Sequence, residues 1–281
     1  MEEYRMGKKS LELSCYVAGA GAFSVFLRWL QKQLAFNELG LADKSVLHII
    51  IILFIAAAVA VFIRFIRRYR KDRLYLPDGF SAALTNQGTL FRLIRILAGV
   101  ILCAGSILLY MKTGDDRNSS DYRVLSILGF LSGIAFPVWL GSADRDPAPK
   151  PGILCLLAFL PMLWQAAWLV ICYKLNTINS VIWSYVIELA AVAVSMFAFF
   201  RLGGFVFGKP NWERCLFACM LSAVLCMMSL ADERYLGQQI MFLAIALEDL
   251  ICCWIMVKNL EQGEAPEKVP RKETHGGFEE L

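Results

Sequence analysis

Histidine is nearly absent: 281 residues include two, His48 and His275. A membrane haem held between two buried imidazoles therefore has no ligand set, because His275 lies in a polar carboxyl-terminal stretch. Charge is scarce too, at 19% Asp, Glu, Lys and Arg, against about 25% in a soluble domain. That excludes an ordinary soluble fold. The chain has no Walker loop, no GxGxxG turn and no His-Glu-x-x-His pair. Phe130-Leu131-Ser132-Gly133 imitates only part of a Gly-x-Ser-Gly nucleophile motif, and His48 is the one candidate base in an apolar segment. Lysine is missing from the middle of the last apolar segment, where a retinal Schiff base would need it. Nothing here signals catalysis, and no cofactor is expected.

Apolar length is what the chain has in quantity. Hydrophobic residues make up 58%, and the mean hydropathy is +0.56. Eight runs stand out: Leu11 to Leu30, Val46 to Ile66, Ile94 to Tyr110, Tyr122 to Leu140, Gly152 to Tyr173, Ile178 to Phe200, Cys215 to Leu230 and Gln238 to Val257. Each is long enough, as a helix, to cross a hydrocarbon core of about 30 Å. The runs are continuous rather than alternating, and lipid-exposed backbone must satisfy its own hydrogen bonds, so helices are expected and barrel strands are not. The fold class is all-α: a polytopic transmembrane bundle over residues 1–260. Residues 261–281 mix Glu, Lys, Pro and Gly without apolar periodicity and read as a disordered cytoplasmic tail.

Lys and Arg in short loops are retained on the cytoplasmic side. With the amino terminus inside, the outer cations are Arg28, Lys32, Lys44, Lys112, Arg117, Arg123, Lys174 and Arg234, leaving 20 of 28 inside. That asymmetry predicts an even number of spans with both termini cytoplasmic. The first segment contains Glu12 and Arg28 and has a small-residue centre, Ala18 to Ala22. The apolar run before those small residues is only about seven residues, too short for a leader's h-region, so the segment reads as a retained span. Gly129 with Gly133, and Gly204 with Gly208, read as close-packing pairs. Pro161 is expected to kink the fifth helix. Trp29, Tyr110, Tyr173, Trp183 and Tyr235 are expected to anchor the outer interface and Trp139, Trp212 and Trp254 the inner one.

All nine cysteines fall in or at apolar segments, where a thiol acts as a small hydrophobe. Cys215 and Cys219 share a helix face, yet no second Cys or His pair with metal spacing follows, so no metal site is expected. Besides Glu12 at the start of the first segment, three acids lie deep inside the apolar runs: Glu188, Glu248 and Asp249. Glu188 and Glu248 each fall about ten residues inside their segments, which predicts one shared level near the midplane. A charge there costs at least about 2.5 kcal/mol, so such residues face the bundle interior and often serve as proton or ligand sites. The alternative is carboxyl groups hydrogen-bonded as glue to neighbours such as Ser184, Ser195 or Gln165.

Arg64, Arg67, Arg68, Arg70, Lys71 and Arg73 cluster at the end of the second span. They fit a topology determinant, and they also fit contact with anionic lipid headgroups. The net charge of +4 is small and membrane-adjacent, so no nucleic-acid partner is expected. Membrane lipids, a homo-oligomeric copy or a partner membrane protein are the expected partners.

At Gly19-Ala20-Gly21-Ala22 followed by Leu27-Arg28, at Phe159-Leu160-Pro161 with Trp164, and at Gly204-Phe205-Val206-Phe207-Gly208-Lys209-Pro210, the chain resembles a bacterial family of uncharacterised eight-helix integral membrane proteins. The resemblance implies a bacterial cytoplasmic membrane. It carries no activity, ligand or catalytic residue. Two functions stay open: a small transporter or permease-like carrier with a midplane acidic site, and a non-catalytic membrane subunit or sensor that docks a partner protein.

Overall fold

A computed structural model describes residues 2–34, 45–77, 79–86, 88–113, 119–145, 151–177, 183 and 185–262. Helix dominates these residues. α1 spans Glu2–Leu34, α2 Ser45–Lys71, the short α3 Phe80–Leu84, α4 Thr89–Lys112, α5 Ser119–Gly141, α6 Pro151–Asn176, α7 Val186–Val206, α8 Trp212–Met228 and α9 Leu236–Lys258. All but α3 are long and apolar enough to cross a membrane, so the chain is an all-α, multi-pass membrane protein with eight spans. Serine hydroxyls within the spans bond to their own helices. Ser106 donates to the Leu102 carbonyl at 2.8 Å and Ser126 to the Tyr122 carbonyl at 2.7 Å, which spares lipid from bare polar atoms.

α4 to α9 pack each on the next, and α9 returns to α4, closing a six-helix ring. α1 lies on α8 and α9, and α2 rests on α1 and α8. Buried aromatic rings line the interior: Trp164 and Trp168 of α6 are 5.5 Å apart, and between helices Trp168 meets Phe242 of α9 at 4.6 Å and Phe136 of α5 meets Phe199 of α7 at 6.0 Å. Such pairs add about 0.5–1.5 kcal/mol beyond burial. Small residues set the closest approaches. Pro137 has no N–H for the Gly133 carbonyl, and Gly99 of α4 lies against that oxygen, where a Cβ would stand 2.5 Å from it. A Cβ at Gly237 would stand 2.6 Å from both the Gly105 carbonyl and the Leu109 amide.

The bundle has two ends. At the proximal end Lys9 pairs with Asp72 at 3.0 Å, and strand β1 (Leu74–Tyr75) pairs antiparallel with β2 (Glu261–Gln262). The described chain therefore begins and finishes at the same end, as eight alternating spans require. At the distal end Lys174 pairs with Asp121 at 2.8 Å and Lys32 with Glu233 at 2.8 Å.

Several sequence expectations change. The helix of the sixth span is described from Val186; of the run expected from Ile178, residues 178–182 and 184 lie outside the described residues. Trp183 stands in a short 3-10 turn, and its carbonyl accepts from Arg28 Nη2 at 2.7 Å. The tail expected to be disordered from Glu261 opens with a strand, and 263–281 lie outside the described residues. Gly204 and Gly208 are a helix stop, not an interhelix contact. Gly208 has φ +66, and the Lys209 N–H donates to the Gly204 carbonyl at 2.8 Å, the bond that ends a helix through a left-handed glycine. Trp139 is buried against Phe80 and Phe136 rather than placed at a lipid interface.

Candidate functional site

The three acids do not form one site. Glu188 is the third residue of α7, at most about 5 Å from the helix end at 1.5 Å per residue. Its Oε1 accepts from Trp168 Nε1 at 2.8 Å, and its Oε2 from Arg234 Nη1. Arg234 stands just before α9, whereas Glu248 is twelve residues beyond Leu236, about 18 Å further along the axis. The shared level expected for Glu188 and Glu248 is therefore corrected. Only Glu248 and Asp249 are central, and Glu188 belongs to the distal end.

The distal network joins five parts of the chain. Arg28 of α1 donates through Nε to Asp232 Oδ1 at 2.7 Å and through Nη1 to Gln31. Arg234 donates to Asp232 Oδ2 at 3.0 Å as well as to Glu188. Trp183 connects α2, because its ring meets His48 at 4.5 Å. Two guanidinium groups thus face two carboxylates, and all four side chains are buried. Burial pushes the Asp232 carboxyl up, against the opposing pull of Arg28 and Lys32. Burial likewise draws Arg234 down to about 10, so it remains a cation at neutral pH. In such networks desolvation offsets much of the attraction, and the gain is a unique arrangement of elements. The sequence holds Arg28, Asp232 and Arg234 in view, but Arg28 is 204 residues from Asp232, and Glu188 gave no hint of its cation.

The central acids differ in kind. Asp249 is 0% exposed and Glu248 1%. Neither carboxylate oxygen of Asp249 has a hydrogen-bond partner, nor does Oε1 of Glu248. Of the partners anticipated as glue, Ser195 donates to Gln165, and Ser184 lies outside the described residues. Asp249 faces α8, where Ser222 and Cys219 stand beside it, and Cys219 also meets Cys215 and Cys253. The two thiols on α8 thus do have Cys252 and Cys253 of α9 as neighbours, which spacing within a single helix did not reveal. Among the described residues no group of three or more His, Cys, Asp or Glu side chains is arranged to hold a metal ion. Two cavities lie between α4 and α5, and neither is lined by Glu248 or Asp249.

Arg64, Arg67, Arg68, Arg70, Lys71 and Arg73 are all exposed at the proximal end, while Tyr69 among them is buried. A second proximal cluster was not anticipated. Asp144, following α5, accepts from Arg95 Nη1 at 3.1 Å, the Asn86 N–H at 2.7 Å and the Thr85 hydroxyl at 3.2 Å. Lys258 and Asn259 at the end of α9 reach the same α3–α4 connection. No protein-family model, curated protein or solved structure matches this chain.

Proposed function

We propose that the protein is a small membrane carrier whose coupling site is the Glu248–Asp249 pair, with its proximal end in the cytoplasm of a bacterial cell. One observation carries this reading: adjacent carboxyl groups, both buried at mid-span, with no ion-pair partner among the described residues and with only Ser222 and Cys219 of α8 beside the otherwise bare oxygens of Asp249. Buried polar atoms in native proteins are paired in about nine cases of ten, and a carboxyl group at this depth is costly. A proton or a small cation bound there cancels the charge and occupies the bare oxygens. The two residues point about 100° apart around α9, so Asp249 addresses α8 while Glu248 addresses a different neighbour. Movement of α9 against α8 would then change access to one acid at a time. The distal network, which anchors the start of α9 to α1 and α7, supplies the fixed point for such movement.

The test is proton flux in proteoliposomes loaded with a pH-sensitive dye. Wild-type protein should dissipate an imposed pH gradient, and Glu248→Gln and Asp249→Asn should each abolish that flux while leaving the helical circular dichroism unchanged. Equal flux in wild type and both variants overturns the carrier reading. A second reading, a membrane subunit that docks a partner protein or a second copy, is favoured by the closed, ion-paired distal end. It requires wild-type protein to be silent in this assay.

A further inference from the structure

α4 and α5 cross most closely where Gly99 meets Gly133 and Pro137. Helices that cross at a point part on either side of it, and a cavity lies on each side. The proximal one has a volume of about 470 Å³ and is walled by Arg92, Arg95 and Ile96 of α4 and by Val138, Asp144 and Arg145 at the end of α5. Three guanidinium groups thus stand around one carboxylate. Asp144 is already engaged by three donors, from Arg95, Asn86 and Thr85. Arg92 and Arg145 are exposed, so among the described residues the cavity lining carries a surplus of two positive charges.

Arg95 is 5% exposed and its Nε has no hydrogen-bond partner. Gly141 makes room for it: a Cβ there would stand 2.9 Å from Arg95 Nη2. The rim is amphipathic, because Ile96 and Val138 are 47% and 44% exposed toward the side of the bundle. Distally, beyond the crossing, the same two helices frame an apolar cavity of about 340 Å³ lined by Ile107, Ile127, Phe130 and Leu131 among others. The α4–α5 seam therefore presents a cationic pocket at its proximal end and an apolar trough beyond the crossing.

We propose that this groove binds one anionic phospholipid, its phosphate held by Arg92, Arg95 and Arg145 and its acyl chain lying along the α4–α5 seam. Charge complementarity selects the occupant. Planar guanidinium groups match phosphate oxygens in bidentate fashion, and the apolar rim favours a phosphate that carries a chain over a free ion. The exposed cations at and just beyond the end of α2, from Arg64 to Arg73, act as a diffuse charge.

The full-length protein in neutral detergent is titrated with dioleoyl phosphatidylglycerol or dioleoyl phosphatidylcholine, and bound lipid is counted by native mass spectrometry. Wild type should retain one phosphatidylglycerol in preference to phosphatidylcholine. Arg92→Gln with Arg145→Gln, both exposed sites that spare the Arg95–Asp144 pair, should weaken that binding by roughly fivefold per cation, or roughly twenty-five-fold together. Arg67→Gln with Arg70→Gln should leave it within about twofold. Retention of the lipid by the Arg92/Arg145 variant, or equal losses in the two variants, overturns the site. Displacement of the lipid by equimolar inorganic phosphate assigns the pocket to a free anion and overturns the lipid.

Discussion

Asp144 is the one carboxylate among three arginines at the proximal end, and its removal gives a quantitative test of how that end is held. The side chain is about as buried as that of Arg95, each at 6%. Deleting one member of a buried ion pair leaves an uncompensated charge and costs about 3–5 kcal/mol. Asp144→Ala should therefore lose about 3–5 kcal/mol. Asp144→Asn keeps an acceptor for the Asn86 N–H and the Thr85 hydroxyl, worth about 1 kcal/mol each, and should lose about 2 kcal/mol less than the alanine variant. Adding Arg95→Met to Asp144→Asn removes the unpaired cation, so the double variant should exceed Asp144→Asn in stability by about 1–3 kcal/mol, a coupling expected of residues in contact. Reversible unfolding in mixed micelles, driven by the dodecyl sulfate fraction and followed by circular dichroism, measures these three and the Arg95→Met single variant that completes the cycle. An alanine variant within about 1 kcal/mol of wild type, or strictly additive losses in the double variant, would refute the reasoning.

The distal end makes a pH prediction. Because burial raises the Asp232 carboxyl above its ordinary 3.8, its contribution to stability is fully present below that value and is lost as pH rises through the raised one. Wild-type stability should fall across that window, and Asp232→Asn should remove the fall; identical pH profiles rule out the assignment. Orientation is open to direct labelling. A cysteine replacing Ala82, exposed on α3 at the proximal end, should resist a membrane-impermeant maleimide added to intact cells and react once the cells are opened. Reaction in intact cells reverses the topology.

Much of the architecture was legible because membrane insertion constrains sequence locally. A helix across lipid needs about twenty apolar residues in succession, and that property survives whatever the neighbours do. Seven of the eight spans begin and end close to where their apolar runs lie. In the sixth, Val181-Ile182-Trp183 extend the run in composition, while the described helix is continuous only from Val186 and the Trp183 carbonyl accepts from Arg28. The GxxxG spacing at Gly204 likewise has two physical uses, close packing and helix termination, and only the positive φ at Gly208 separates them.

The sequence alone determined that the chain is an eight-span helical membrane protein with unusual acids in its last span, since both follow from the cost of placing polar groups in hydrocarbon. Tertiary structure decided which charges meet. Arg28 finds Asp232, Arg234 finds Glu188, and Asp144 finds Arg95, leaving Glu248 and Asp249, among the described residues, as buried acids without an ion pair. Pairing between helices depends on the rotation and order of whole spans around the ring, and that order is set by interhelix packing at glycines such as Gly99, Gly133 and Gly237. Apolar periodicity carries no record of it, because lipid and protein interiors are equally apolar and both faces of a span look alike.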